Sequence, residues 1–150
     1  MSVVTLAEAK LHVRASGSDE DTSIQAKLNA AEIHACKWMG RLIYPDAGAL
    51  STARAAVPAQ IAAAAAAYEA AVEAADALTT EVEIEVALNA AEMDYQSAQT
   101  TARMTHAGMV IDDLVRSAVL LIFGELFAER ETPKYPQAAY DLLQPHKLYG

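Results

Sequence analysis

The stretch DEDTSIQAKLNAAEIHACKWMG, residues 19–40, decides the fold because it carries every signal of one amphipathic helix. Acidic residues 19–21 crowd its start, where the positive end of the helix dipole favours anions. Gly40 supplies a stop at the other end. Between them, apolar residues recur at intervals of four, three, four and three, which is the spacing of one helix face. They are Ile24, Leu28, Ala31, Ala35 and Trp38.

The residues on either side of this helix predict a short helix before it and a loop after it. Thr5 and Glu8 have the spacing of a capping box, which predicts a helix from about Leu6 to Arg14. Residues 16–18, Ser-Gly-Ser, then break it. On the other side, residues 41–46 read as an exit loop, because Pro45 disfavours helix at the preceding residue.

The segment from about 50 to 108 predicts a long helical hairpin that protrudes from the body. Pro58 suits the first turn of a helix, and the run to Leu78 contains six consecutive alanines. Thr80 and Glu83 form a second capping-box pattern, which opens a helix to about His106. Residues 81–86 also alternate with period two, as a strand would. Helix is favoured there because the helical spacing of apolar residues continues well beyond them.

The predicted hairpin is strongly acidic. Between Pro58 and Ala107 there are eight acids and one base, Arg103, so this segment carries −7 of the formal charge of −9. The acids are Glu69, Glu73, Asp76, Glu81, Glu83, Glu85, Glu92 and Asp94.

A further helix, from about Asp112 to Glu131, is expected to be the core pillar. Residues 118–123 are apolar on every face, which predicts burial all round. Pro133 would end this helix, Pro136 would open a short helix through Leu143, and Pro145 would close that one. The candidate residues for core or subunit packing are Trp38, Leu114, Ala118, Leu121, Ile122 and Phe123. Trp38 fits the core as part of the stripe in residues 19–40, and it also fits an interface, where Trp is enriched.

Composition favours a self-associating chain that does not bind DNA tightly. The 150 residues are one domain's worth of sequence. Hydrophobic residues make up 53%, but 34 of the residues are alanine, which leaves few bulky side chains for a private core. Packing against neighbouring copies would compensate. With 20 acidic and 11 basic residues, the chain has a net negative charge, which disfavours binding to DNA phosphates.

No sequence pattern found here predicts a catalytic site, a metal site or a membrane-spanning helix. His34 and Cys36, with His12 as a third ligand, suggest a metal site, but a spacing of two on a helix points side chains in nearly opposite directions. The acidic runs read as solvated helix starts, not as acid–base pairs. Residues 118–128 are too short to span a bilayer. We therefore expect no enzyme activity, no cofactor, no metal and no membrane partner, with a cytoplasmic location when the chain is made.

Taken together, the two ends of the chain resemble the head–tail connector, or adaptor, family of long-tailed phages. The matching features at the N-terminal end are Val3 to Arg14, the acidic helix start at Asp19 to Asp21, and the helix end Trp38 to Arg41. At the other end they are the pillar and Tyr140 to Pro145. The resemblance covers residues 3–45 and 110–146. The acidic hairpin departs from it, because the family's intervening segment is shorter.

The helical patterns predict an all-α fold, a small helical bundle with the protruding acidic hairpin and a C-terminal tail, and the resemblance implies a ring-forming connector subunit. Residues 1–150 would be a single connector domain, with a body of 3–45 and 110–146, a hairpin of about 50–108 and a tail of about 133–150. A ring of about a dozen copies would sit beneath the portal protein in the virion. It would extend the DNA channel, without sequence-specific DNA binding, and would dock a stopper or tail-completion protein.

The tail is the candidate portal-docking segment, although a frayed terminus is the alternative interpretation. Its candidate docking residues are Tyr135, Tyr140, His146, Lys147, Leu148 and Tyr149. A second function from a different class stays open: a helical regulatory or chaperone-like protein whose acidic hairpin engages a basic partner.

Overall fold

The computed structural model describes residues 2–129 and 134–148 and is 76% helical, which confirms the all-α prediction. Six α-helices and two very short strands make up the described chain. In chain order they are α1 (Leu6–His12), α2 (Asp21–Met39), β1 (Ile43–Tyr44), α3 (Ala47–Asp76), α4 (Glu81–His106), β2 (Met109–Val110), α5 (Asp113–Ala128) and α6 (Gln137–Leu143). A single 3₁₀ turn, Gln144–His146, follows α6.

The chain divides into two compact units. The first, which we call the body, comprises residues 1–50 and 108–150, and the second, the hairpin unit, comprises residues 51–107.

The core of the body forms where α2 packs against α5, with α1 and α6 added at its sides. The predicted α2 stripe is largely confirmed, since Ile24, Leu28, Ala31 and Ala35 are buried. Met39 continues the stripe and is also fully buried, whereas Trp38 is half-buried against the core. Gly40 ends α2 at a φ of 73°, a left-handed conformation that glycine adopts without strain.

Helix α1 contacts the rest of the body near both of its ends, and its predicted capping box is present. The Thr5 hydroxyl accepts from the Glu8 N–H, and a Glu8 carboxylate oxygen accepts from the Thr5 N–H at 2.8 Å. The Thr5 hydroxyl, which donates to this carboxylate at 2.7 Å, holds the pKa of Glu8 below its ordinary value, together with the Thr5 N–H and then the charge of Arg116 at 2.7 Å. Lys10 pairs with Asp21 at the start of α2. Buried Val4 and Ala9 then join the core.

Residues 41–46 are not simply the exit loop that Pro45 suggested. Ile43 and Tyr44 form β1, which pairs in parallel with β2 at Met109 and Val110. Backbone N–H groups of Met109 and Ile111 donate to the carbonyls of Leu42 and Tyr44 at 3.0 and 2.9 Å. Strands of two residues are too short to show a period of two, so the sequence pattern could not predict this pairing.

The placement of Pro58 in the first turn of a helix was wrong, because Pro58 lies inside α3. The helix begins eleven residues earlier, at Ala47, where the Asp46 carboxylate accepts from the Ala49 N–H at 2.8 Å. An Asp before a run of good helix formers was the signal for that start. A proline inside a helix removes one backbone hydrogen bond, and the alanine-rich flanks favour continued helix on both sides of it.

Helix, not strand, is confirmed for residues 81–86, which form the first turns of α4. The Thr80 hydroxyl caps this helix by accepting from the Glu83 N–H at 3.3 Å. By length and composition alone, α3 could cross a membrane, and none of its apolar window is buried. One such helix is weak support for a membrane location, because its hydropathy comes mainly from alanine, the smallest apolar side chain.

Candidate functional site

The predicted pillar, α5, is the centre of the body, but it is not buried on every face. Ala118, Ile122 and Phe123 are fully buried, as predicted. Leu121 is half-buried against the core, and Leu114 is 44% exposed, so the prediction that the pillar is enclosed all round was wrong. Helix α5 packs on α2, α6 and α1, which leaves one face to solvent.

The described part of the tail packs on its own body, which differs from the frayed terminus of the alternative interpretation. The Tyr135 ring stacks on His34 with 4.1 Å between ring centroids. The Tyr140 hydroxyl lies 3.0 Å from Nε2 of His34, and its ring lies 5.4 Å from Trp38. The Lys147 ammonium sits 4.5 Å over the Trp38 ring. Trp38 thus anchors the tail intramolecularly.

The last described residues hold the end of the tail to α2 and to the start of α5. Nε2 of His146 lies 3.0 Å from a carboxylate oxygen of Asp112. The Leu148 N–H donates to the Met39 carbonyl at 3.0 Å. Tyr149, the remaining candidate docking residue, lies outside the described residues. Of the six predicted docking residues, five are therefore placed in contacts with the body.

Burial sets the protonation behaviour of this cluster. Burial lowers the pKa of His34 from its ordinary value, because the charged imidazolium would be partly shielded from water. It raises the pKa of Tyr140, with Tyr135 as a smaller cause. It also raises the pKa of Cys36 to about 11, so the Cys36 thiol is a poor nucleophile and a poor metal ligand at neutral pH. Within residues 2–129 and 134–148, no three His, Cys, Asp or Glu side chains are placed to hold a metal ion.

The hairpin unit presents its acids to solvent. All eight predicted side chains are exposed, on α3 for residues 69, 73 and 76 and on α4 for residues 81, 83, 85, 92 and 94. Its interior is thin. The centroids of the Tyr68 and Tyr95 rings lie 5.5 Å apart. The buried positions are Ala75, Ala91, Ala102 and Thr105.

An exposed apolar stripe on α4 was missed by the sequence interpretation. Val82, Val86 and Met93 are 70%, 64% and 70% exposed. The signal was present in the period-two alternation of residues 81–86. On a helix, residues two apart point in nearly opposite directions, so Val82 and Val86 face away when Ile84 faces inward.

Matching the chain against protein-family models, curated proteins and solved structures gives no similar protein.

Proposed function

We propose that this chain is a structural subunit of a phage head–tail connector, which works as one copy in a ring beneath the portal and has no catalytic step of its own. The resemblance in residues 3–45 and 110–146 supports this proposal. These two segments supply all four helices of the body, strand β1 and Val110 of strand β2. The subunit would belong to the virion, after synthesis in the host cytoplasm.

The observation that carries the proposal is the apolar surface that remains outside the core of the body. Leu11 on α1 is 81% exposed, Ile33 on α2 is 55% exposed, and Leu114 on α5 is partly exposed as well. They lie on three different helices. A closed ring needs two different contact surfaces on each copy, because one surface of a subunit packs against the other surface of its neighbour. Exposed apolar side chains on several helices fit that requirement.

The charge of the chain supports a passive role towards DNA. With a net charge of −9, a ring of these subunits would repel phosphates along its wall. DNA could then pass through the channel without adhering to it. The portal would bind one end of such a ring, and a stopper or tail-completion protein would bind the other.

The tail remains the proposed portal contact, but the packing of its tyrosines changes which surface can dock. Tyr135 and Tyr140 are engaged with α2, so the docking surface would be the outer side of the packed tail. Leu148, which is 40% exposed, is the one large apolar side chain that is exposed in the described part of the tail. Replacing Leu148 by Ser is expected to weaken binding to portal rings while the subunit stays folded.

Negative-stain electron microscopy of the purified chain, alone and mixed with portal rings, tests the proposal. Closed annuli, free or seated on portals, are the expected result. Ile33→Asp should prevent closure, whereas Ser18→Asp, an equal charge change at an exposed position between α1 and α2, should leave annuli intact. A chain that stays monomeric or dimeric under all these conditions would contradict the proposal. Such a chain bound to a basic protein would favour the regulatory or chaperone-like function instead.

A further inference from the structure

The outer face of α4 combines two features that the proposed ring does not use. The first is the apolar stripe of Val82, Val86 and Met93, which from here on we call the α4 stripe. At 3.6 residues per turn the three side chains fall within a sector of about 40°. All three are mostly exposed, while the opposite face of α4 carries the buried residues Ala91 and Ala102.

The second feature is the charge that borders the α4 stripe. Glu85 and Glu92 lie about 80–100° to one side of its centre, and Glu83 and Asp94 lie about as far to the other. All four are exposed. Residues 81–94 contain five acids and no base, and the first base on α4 is Arg103. The α4 stripe is therefore an apolar surface, interrupted by the exposed Asn89 between Val86 and Met93, with a row of carboxylates on each side.

The acidic borders decide what can cover this surface. A second copy packed through the same face would bring carboxylates against carboxylates, which opposes association. No other helix in the described part of the chain exposes more than one large apolar side chain, so the chain offers no second apolar stripe to match it. A partner with basic residues on both sides of an apolar stripe would satisfy both features at once.

We infer that the α4 stripe is the docking surface for a basic amphipathic helix of another protein. Apolar side chains of that helix, spaced like i, i+4 and i+11, would pack over Val82, Val86 and Met93. Its flanking Lys or Arg side chains would face Glu85 and Glu92 on one side and Glu83 and Asp94 on the other. The inference goes beyond the proposed ring, because the surface lies within one unit of one chain and needs no neighbouring copy.

The test uses the full chain and a designed peptide of about 20 residues, with leucines at helical spacing flanked by lysines. Fluorescence anisotropy of the labelled peptide measures its Kd. The triple variant Val82→Ser, Val86→Ser, Met93→Ser keeps the charge, and we expect it to weaken binding by about tenfold or more, because buried apolar contacts are lost. Circular dichroism checks that the variant stays helical.

Two charge-matched controls separate recognition from general attraction between opposite charges. Glu85→Gln with Glu92→Gln should weaken binding several-fold, whereas Glu69→Gln with Glu73→Gln on α3 should leave Kd unchanged. A peptide of the same composition in scrambled order should bind at least tenfold more weakly. Equal binding of the scrambled peptide, or equal losses in the two double variants, would overturn the inference.

A final readout keeps this inference separate from the ring. Sedimentation velocity of the triple serine variant should match that of the original chain. A change in oligomeric state would mean that the α4 stripe is a contact between copies, and the inference would fail. Annuli that form without peptide binding would overturn this inference alone. Specific peptide binding by a chain that forms no annuli would uphold it and overturn the proposed function.

Discussion

The body and the hairpin unit are both helical, yet they are built on different principles. In the body, fifteen buried residues form one cluster that includes Phe123, Ile24, Leu28 and Met39. In the hairpin unit, two long helices bury three alanines and a threonine. Large side chains stabilise a fold through the apolar area they remove from water, and alanine removes little. The body is therefore held by its core, whereas the hairpin unit depends mainly on local helix propensity and one aromatic pair.

The largest difference should come from placing one charge in each unit. Ala118→Asp puts a carboxylate into the fully buried centre of α5, where no base lies in the core. The cost of several kcal/mol rivals the total stability of about 5–15 kcal/mol, so we expect the body to unfold. Ala63→Asp on the exposed side of α3 should cost less than about 1 kcal/mol, mainly through helix propensity. Thermal melts followed by circular dichroism measure both.

Leu121→Asp is an intermediate case within α5. Leu121 is half-buried, so its aspartate could reach water and the loss of stability should fall between those of the two alanine variants. If Ala118→Asp gave soluble protein with an unchanged melting temperature, α5 would not be the centre of the core.

A methionine in each unit gives the next comparison. Met39 is fully buried and Met93 is largely exposed. Met39→Ala should lower the free energy of unfolding by about 2–5 kcal/mol, since it leaves a cavity in the core. Met93→Ala should change it by less than about 0.5 kcal/mol. Guanidinium denaturation of the two variants decides this, and equal losses would mean that Met93 is buried in solution, for instance by another copy.

Local sequence signals predicted the helical elements well, because each depends on neighbours along the chain. The Thr5 and Thr80 caps, the Gly40 stop and the α2 stripe are all set by residues within a few positions of one another. Pro58 misled the prediction for the same reason. A proline is a strong local signal for a helix start, whereas the actual start depended on Asp46 and on a long run of alanines that tolerates an interior proline.

What the sequence could not predict depends on contacts between distant residues. The pairing of Ile43 with Met109 and the packing of Tyr135, Tyr140 and Lys147 on α2 join segments that are far apart in the chain. The tail residues were predicted to dock on a portal, which stays a prediction, and in the same chain they contact His34 and Trp38. Residue type indicates that an aromatic side chain will find a partner, and it does not indicate which one.

The two threonine caps allow a finer comparison of the units. Thr5 and Thr80 each accept from the N–H three residues later, at 3.2 and 3.3 Å. Thr5→Ala should lower the free energy of unfolding by about 1 kcal/mol, because α1 is fixed to the core of the body. Thr80→Ala should instead speed hydrogen exchange in the first turn of α4, where a weakly held helix can fray locally.

Thr5→Ser and Thr80→Ser are the controls. Each keeps the hydroxyl, so each should retain most of the stability, or most of the protection from hydrogen exchange, that the alanine variant loses. A Thr80→Ala chain that melts as one unit with the body, with no local change in exchange, would contradict the view that the hairpin unit is stabilised locally.

The smallest expected effect concerns His34, which belongs to the body alone. Burial lowers the folded-state pKa of His34 below its ordinary value of 6.5, so the unfolded chain takes up its proton at a higher pH than the folded chain does. The contribution of neutral His34 is therefore complete above pH 6.5 and is lost as the pH falls below it. Between pH 7.5 and 5.5, the original chain should lose more stability in urea than His34→Gln does, because the other three histidines are common to both. Parallel losses in the two chains would show that the stacking of His34 on Tyr135 and its contact with Tyr140 do not exclude water in solution.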